Sequence, residues 1–370
     1  MSRGPACQGL SGSRALRGCC ECFQGYPLFL ERSPLMLPRR LAYAALLATA
    51  LSAHAADYPL QLQNCGHRLQ LDRAPASVVT IGQGGTEMLY ALGLGDKVVG
   101  TALWFNPVLP QFQAINDKVP RLSDNIPSFE SVIGKRPALV VSQFEWMVGK
   151  DGVVATREQF HDLRIATYAM PTDCEGKNNL VGADGTRTAS YDVQTLYKSI
   201  RQLAEIFGVP ARGAQLVQSL SDRQAQAVAK VQGAQRQPLT AALWFSSADL
   251  AADPYMAGKN GVAGYMMQTL GLRNIVSSTE EWPTVGWETV AKANPSVLII
   301  ARMDRRRFPA DDYQKKLEFL QQDPVTRHMD AVKHQRIVIV DADALQGSIR
   351  QVDGMEQIAE AVLQLQGRAK

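Results

Sequence analysis

Enzymatic signatures are missing from this 370-residue chain. It has no G-x-x-x-x-G-K-[ST] phosphate loop, no G-x-S-x-G nucleophile turn and no H-E-x-x-H zinc motif. The stretch GQGGTE, Gly82–Glu87, fails as a dinucleotide fingerprint because Glu87 stands where the third glycine is needed. Histidine is scarce. Beyond residue 55 only His67, His161, His328 and His334 remain, none directly after a predicted sheet strand. First-row metal sites draw on several His or Cys ligands, so direct binding of bare zinc or manganese is disfavoured and no metal ligand is assigned.

Long apolar runs are also absent. The run Leu41–Leu51 is too short to span a bilayer. With Arg39 and Arg40 before it and Ala53-His54-Ala55 after it, it reads as a secretory signal starting at Met36, with cleavage before Ala56. Residues 1–35, with four of the six cysteines, then read as upstream sequence. No cysteine stands at a lipoprotein-like cleavage point. Excess positive charge is confined to this leader, which carries six Arg and two Glu; the remainder has 33 basic and 33 acidic residues, for a formal charge of zero. That balance opposes a nucleic-acid surface, which needs a basic excess. Two cysteines, Cys65 and Cys174, remain in the exported part. In an oxidising compartment the pair reads as a disulfide rather than as two separate buried thiols.

What is present is an alternation of strands and helices. YPLQLQNCGHRLQL reads as a hairpin turning at Asn64-Cys65-Gly66. SVVTIG, DKVVGTALWF, PALVVSQF and RIATYAM read as strands, with helices GTEMLYALGL, FESVIGKR and TREQFHDL between them, which implies a parallel α/β sheet. CEGKNNLVGADGTRT has no period and reads as a long loop, a functional or mobile element. Two helices follow, the second about 22 residues and so about 33 Å long. The alternation then restarts with LTAALWF, GVAGYMMQTLGL, WETVAKAN, PSVLIIA and QRIVIVD, and MEQIAEAVLQLQ closes it as a helix.

The restart is a repeat. FESVIGKRPALVV and WETVAKANPSVLII align on Pro137 and Pro295, so Phe129 and Glu130 match Trp287 and Glu288. LGLGDKVV (Leu92–Val99) matches LGLRNIV (Leu270–Val276), in the same order within each half. The expected fold class is α/β: two Rossmann-like lobes with parallel sheets joined by a single long α-helix. The expected divisions are 1–55 (upstream sequence and signal), 56–210 (first lobe), 211–234 (connecting helix) and 235–370 (second lobe).

Ligands of open α/β sheets bind beyond the carboxyl ends of the strands. Those positions hold Trp104, Phe105, Gln143, Glu145 and Trp146 in the first half, and Trp244, Phe245, Tyr255, Arg302, Asp304, Arg305–Arg307, Gln346 and Arg350 in the second. Aromatic walls suit a bulky planar ligand and guanidinium groups suit oxygen-rich anions. For any one of these residues a core or surface role is an equal alternative; the collection points to a site.

The paired motifs, TEMLYALGLGDKVVG and the single connecting helix resemble those of the periplasmic substrate-binding proteins for ferric siderophores, haem and vitamin B12, which feed ABC importers. The resemblance runs from Val78 to Leu365. It implies two lobes facing across a cleft, a monomer in the periplasm, and one glutamate per lobe, Glu130 and Glu288, docking onto arginines of a dimeric inner-membrane permease. It implies no cofactor beyond iron carried inside the bound chelate. Hydroxamate- and B12-binding relatives carry a ligand-contacting Arg or Trp six residues before the first docking glutamate; here that position is Asp124. The expected ligand is an anionic ferric siderophore, contacted by Trp104, Asp124, Trp146, Trp244, Tyr255, Arg302, Arg305 and Arg350. The alternatives are haem or a corrinoid and, in another class, an exported metal-dependent hydrolase.

Overall fold

The computed structural model describes residues 58–367 apart from 151, 182–183, 235–238 and 306. The signal segment, the Met36 start and Arg306 lie outside the described residues. In the first lobe, strands β1 (Val78–Ile81), β2 (Val98–Ala102), β3 (Arg121–Ser123), β4 (Leu139–Ser142) and β5 (Ala166–Ala169) form one parallel sheet in the order β3-β2-β1-β4-β5. Every residue of β1 and β4 is buried, as expected of parallel strands covered on both faces. The order reverses between β1 and β4, and that switch point opens a crevice at their carboxyl ends.

The second lobe contains β6 (Leu239–Ser246), β7 (Tyr255–Met256), β8 (Leu272–Asn274), β9 (Val297–Arg302) and β10 (Ile337–Asp341). The path is β7-β6-β9-β10, and β8 lies beside the start of β6. One strand departs from the all-parallel expectation: β7 is antiparallel to β6. Residues 247–254 are too few for the crossover that a parallel neighbour needs, which takes a dozen or more.

The connecting helix spans Pro210–Ala234, 25 residues, about 37 Å. Pro210 fits its first turn, where a missing N–H is harmless. This helix packs on the terminal helix Gln351–Gly367, and Arg223 bonds Asp353 and Glu356 across the contact. One glycine of GQGGTE, Gly84, serves lobe contact. Gly82 sits at φ +120°, and a Cβ on Gly84 would stand 2.7 Å from the Ser348 Cβ of the second lobe. Beside them the buried Glu87 carboxylate accepts from Arg350 Nε at 2.7 Å, joining the lobes through charge.

The N-terminal hairpin pairs Leu60–Asn64 with His67–Leu71. Cys65 in its turn is bonded to Cys174 over a separation of 109 residues. Breaking that bond, by reduction or by Cys65→Ala with Cys174→Ala, is expected to lower stability by up to about 4–5 kcal/mol, because the unfolded chain regains the entropy of a large loop. Urea unfolding with and without reductant reads the effect, and coincident midpoints would reject it.

The stretch expected to be a structureless loop is a strap. Lys177–Asn178 pairs with Thr186–Arg187, and the strap then crosses to the second lobe. There Arg187 N–H donates to Thr279 O at 2.9 Å, Glu281 N–H donates to Gly185 O at 3.1 Å, and the buried Arg187 and Glu281 side chains form an ion pair. Local sequence carries no strand signal at this point. The order comes from partners about 94 residues away in the chain.

Candidate functional site

The carboxyl ends of both sheets face an open cleft of about 870 Å³. The first lobe lines it with the turns after β2 and β4 and with the strap; the second lobe lines it with the end of β6, with Tyr255 of β7 and with the turns that follow β9 and β10. Its floor is a line of rings that runs from lobe to lobe. Trp146 lies 6.0 Å from Phe144, Phe144 lies 6.4 Å from Phe105, Phe105 lies 6.3 Å from Phe245, and Phe245 stacks on Trp282 at 4.4 Å. Tyr255 and Phe308 add two more aromatic walls. Such rings form offset or edge-on pairs that keep a rigid apolar surface.

The charges are placed unevenly. Lys177 is neutralised by Asp173 at 2.6 Å. The Asp311 carboxylate is committed to Ser246 Oγ at 2.6 Å and to the Arg307 and Phe308 amides at 2.7 and 2.9 Å. Two guanidinium groups make no ion pair among the described residues, although Asp311 acts on Arg305 and the cleft acid Asp184 on Arg307 through space. Arg305 lies 4.5 Å over the Phe105 ring, with Nε buried and unbonded; Arg307 lies over Phe308 at 5.1 Å. Burial lowers the Arg305 pKa from its ordinary value. Beneath the wall, the fully buried Lys316 donates to the carbonyls of Phe245 and Ala301, and burial pushes its pKa down to about 7. This lysine braces the backbone that presents Phe245.

Of the predicted ligand contacts, Trp146, Tyr255 and Arg305 line this cleft. The others lie elsewhere. Trp244 is a core residue: fully buried, it meets Trp287 edge-on at 4.8 Å and donates its indole N–H to Ser246 O. Strand parity decides this, since Trp244 shares a face with Ala242 while its neighbour Phe245 faces the cleft. Trp104 is likewise buried, with its indole bonded to Thr101 Oγ1 and Arg121 laid 4.0 Å over its ring. Asp124 pairs with Arg121 at 3.1 Å, and both border an adjoining groove instead of the cleft. Arg302 turns out to solvent against Asp341. Arg350 is buried and held by Glu87, Asp341 and the Pro107 carbonyl. The expectation of ligand contact for Trp244, Arg302 and Arg350 is therefore corrected. The carboxylates that claim the two arginines are distant in sequence or belong to a parallel neighbour strand.

Several lining residues escaped the sequence reading: Phe144, Trp282, Lys177, Asp184 and Asp311. Phe144 follows β4 and could have been found by the same strand-end rule. Trp282 and the strap residues follow no strand, and nothing local marks them. Glu130 and Glu288 lie away from the cleft. Each is exposed in the first turn of its helix, Phe129–Ile133 and Trp287–Ala293, and neither carboxylate has a partner among the described residues.

Comparison with known proteins agrees with this geometry. The family model described as periplasmic binding protein matches residues 78–344. The chain is similar to YvrC, an uncharacterized ABC transporter substrate-binding lipoprotein of Bacillus subtilis (strain 168), at 23% identity over 82% of this chain and 86% of the relative. Its fold is similar to that of an ABC-type Fe3+-hydroxamate transport system protein from Saccharomonospora viridis DSM 43017, with a TM-score of 0.66 and 24% identity over 82% of this chain and 99% of that one. It is also similar to that of the periplasmic heme-binding protein RhuT from Roseiflexus sp. RS-1, with a TM-score of 0.61 and 18% identity over 78% and 98%.

Proposed function

The chain belongs to the periplasmic binding protein family, and from that premise we propose that it captures an anionic ferric siderophore outside the inner membrane and hands it to an ABC permease. The family and its structural relatives are substrate-binding proteins, which sets the hydrolase reading aside. A substrate-binding role of this kind implies a membrane permease as partner.

The observation that carries the ligand class is the pair of guanidinium groups outside any ion pair, Arg305 and Arg307, set on a ring-lined cleft. An anionic chelate stripped of water needs charge-assisted hydrogen bonds to replace it. Its organic faces need apolar area, which the line from Trp146 to Trp282 supplies. Iron enters only as part of the chelate, with the chelator's oxygens as its ligands. A periplasmic location accords with the signal-like segment and the family.

Titration of a ferric tris-catecholate by tryptophan quenching tests this, because Trp146 and Trp282 line the cleft. Arg305→Ala is expected to weaken binding by about 2–5 kcal/mol, as for loss of one member of a desolvated charge pair. Equal affinities for variant and wild type would overturn the anionic-ligand reading. Haem is the second reading, favoured by Tyr255, which lines the cleft and belongs to a residue type that ligates haem iron. Retention of haem but not of ferric catecholate through desalting would select it.

A further inference from the structure

Beside the main cleft lies a second open groove of about 810 Å³, lined by Trp104, Phe105, Asn106, Arg121, Asn125 and Asp304, among others. Phe105 and Arg305 border both spaces. They are therefore the shared wall of two adjoining compartments.

The compartments differ in charge. In the groove Arg121 and Asp124 neutralise each other. What remains unclaimed is one group of each sign: the Arg305 guanidinium, and the exposed Asp304 carboxylate, which has no partner among the described residues. The backbone fixes these two neighbours in place, since the amides of Asp304 and Arg305 both donate to Phe105 O across the lobe boundary, at 2.8 and 3.2 Å. Asn106 is already bonded to Arg302 O, at 2.9 Å, and to the Asp343 amide, which leaves Asn125 as the adaptable polar group on the rim.

A simple anion would be repelled by Asp304 here, and a simple cation by Arg305. A group with both signs satisfies both. We propose that the groove is a second subsite, which takes a zwitterionic amino-acid arm of the ligand whose chelate core lies in the main cleft. The inference rests on the ferric-chelate reading above. In it the arm's carboxylate reaches Arg305 and its ammonium reaches Asp304, while the face of Phe105 separates arm from core.

The test compares two probes on the full protein: a plain ferric tris-catecholate, and the same chelate with one ring amide-linked to the α-nitrogen of lysine. That arm keeps a free carboxylate and a free ε-ammonium. Wild type is expected to bind the lysine chelate roughly tenfold tighter, the gain from one well-placed charge contact. The near-isosteric Asp304→Asn should remove most of that preference, since the ammonium loses its partner, and should not weaken the plain chelate. Arg305→Ala should weaken both probes. Thermal melts of the variants, matching wild type, exclude misfolding. If the plain chelate binds but the arm adds nothing, or if Asp304→Asn keeps the preference, the groove proposal is wrong and the ferric-chelate reading survives. If neither probe binds, the ferric-chelate reading fails and the groove proposal falls with it.

Discussion

Alanine at both Glu130 and Glu288 is expected to abolish uptake by whole cells and to leave ligand affinity of the purified protein unchanged. Each glutamate stands in the first turn of a helix that opens the repeated phrase of its lobe, where the helix dipole favours a carboxylate. Neither side chain has a bonding partner among the described residues. A free, equivalently placed acid on each lobe suits contact with arginines on a two-fold partner. Loss of one buried interfacial charge costs about 2–5 kcal/mol, so removal of both should leave little productive complex. Uptake at wild-type rates in the double variant would dismiss the docking role. A weakened ligand affinity would mean that these acids reach the cleft after all.

Arg350→Met should lower stability by about 3–5 kcal/mol, since it leaves the buried Glu87 carboxylate without its counter-charge. Arg350 also donates to Asp341 at 3.1 Å and to the Pro107 carbonyl, so the loss reaches both lobes. Urea unfolding gives the measurement. Adding Glu87→Gln to Arg350→Met should recover part of the loss, because a neutral amide is cheaper to bury alone. A variant as stable as wild type that no longer holds ligand would restore Arg350 to the binding site.

The repeat was the most informative part of the sequence. The phrase built on Glu130 and Pro137, and its echo on Glu288 and Pro295, mark two helices and the strands β4 and β9 by local pattern alone. The cleft was readable only to the level of strand ends. Twice the chain offers a Trp-Phe pair there, Trp104-Phe105 and Trp244-Phe245, and in each the Phe faces the cleft while the Trp is buried. Size and aromatic character favour the Trp; alternation along β6 decides for Trp244-Phe245, while Trp104-Phe105 follow the end of β2 and the left-handed Leu103, at φ 61°, where no strand pattern applies. Arginines were harder still. Arg302, Arg305 and Arg350 look alike as sequence, and only the three-dimensional positions of Asp341 and Glu87 separate the paired ones from the free one. The strap was unreadable because its order comes from contacts with the other lobe.

The cross-lobe ion pairs bear on how divisible the molecule is. Two similar halves suggest a module that was duplicated and could be separated again. Each half, however, now contains a buried charge whose antidote sits in the other: Glu87 in the first half is answered by Arg350, and Arg187 by Glu281. A protein cut at the connecting helix would strand an acid and a base in one fragment and their complements in the other, each facing water through a newly opened core. The halves have become mutually dependent in their electrostatics while remaining recognisable copies in their backbone pattern. Separately produced halves should therefore stay soluble and folded only when mixed, reassembling as a pair.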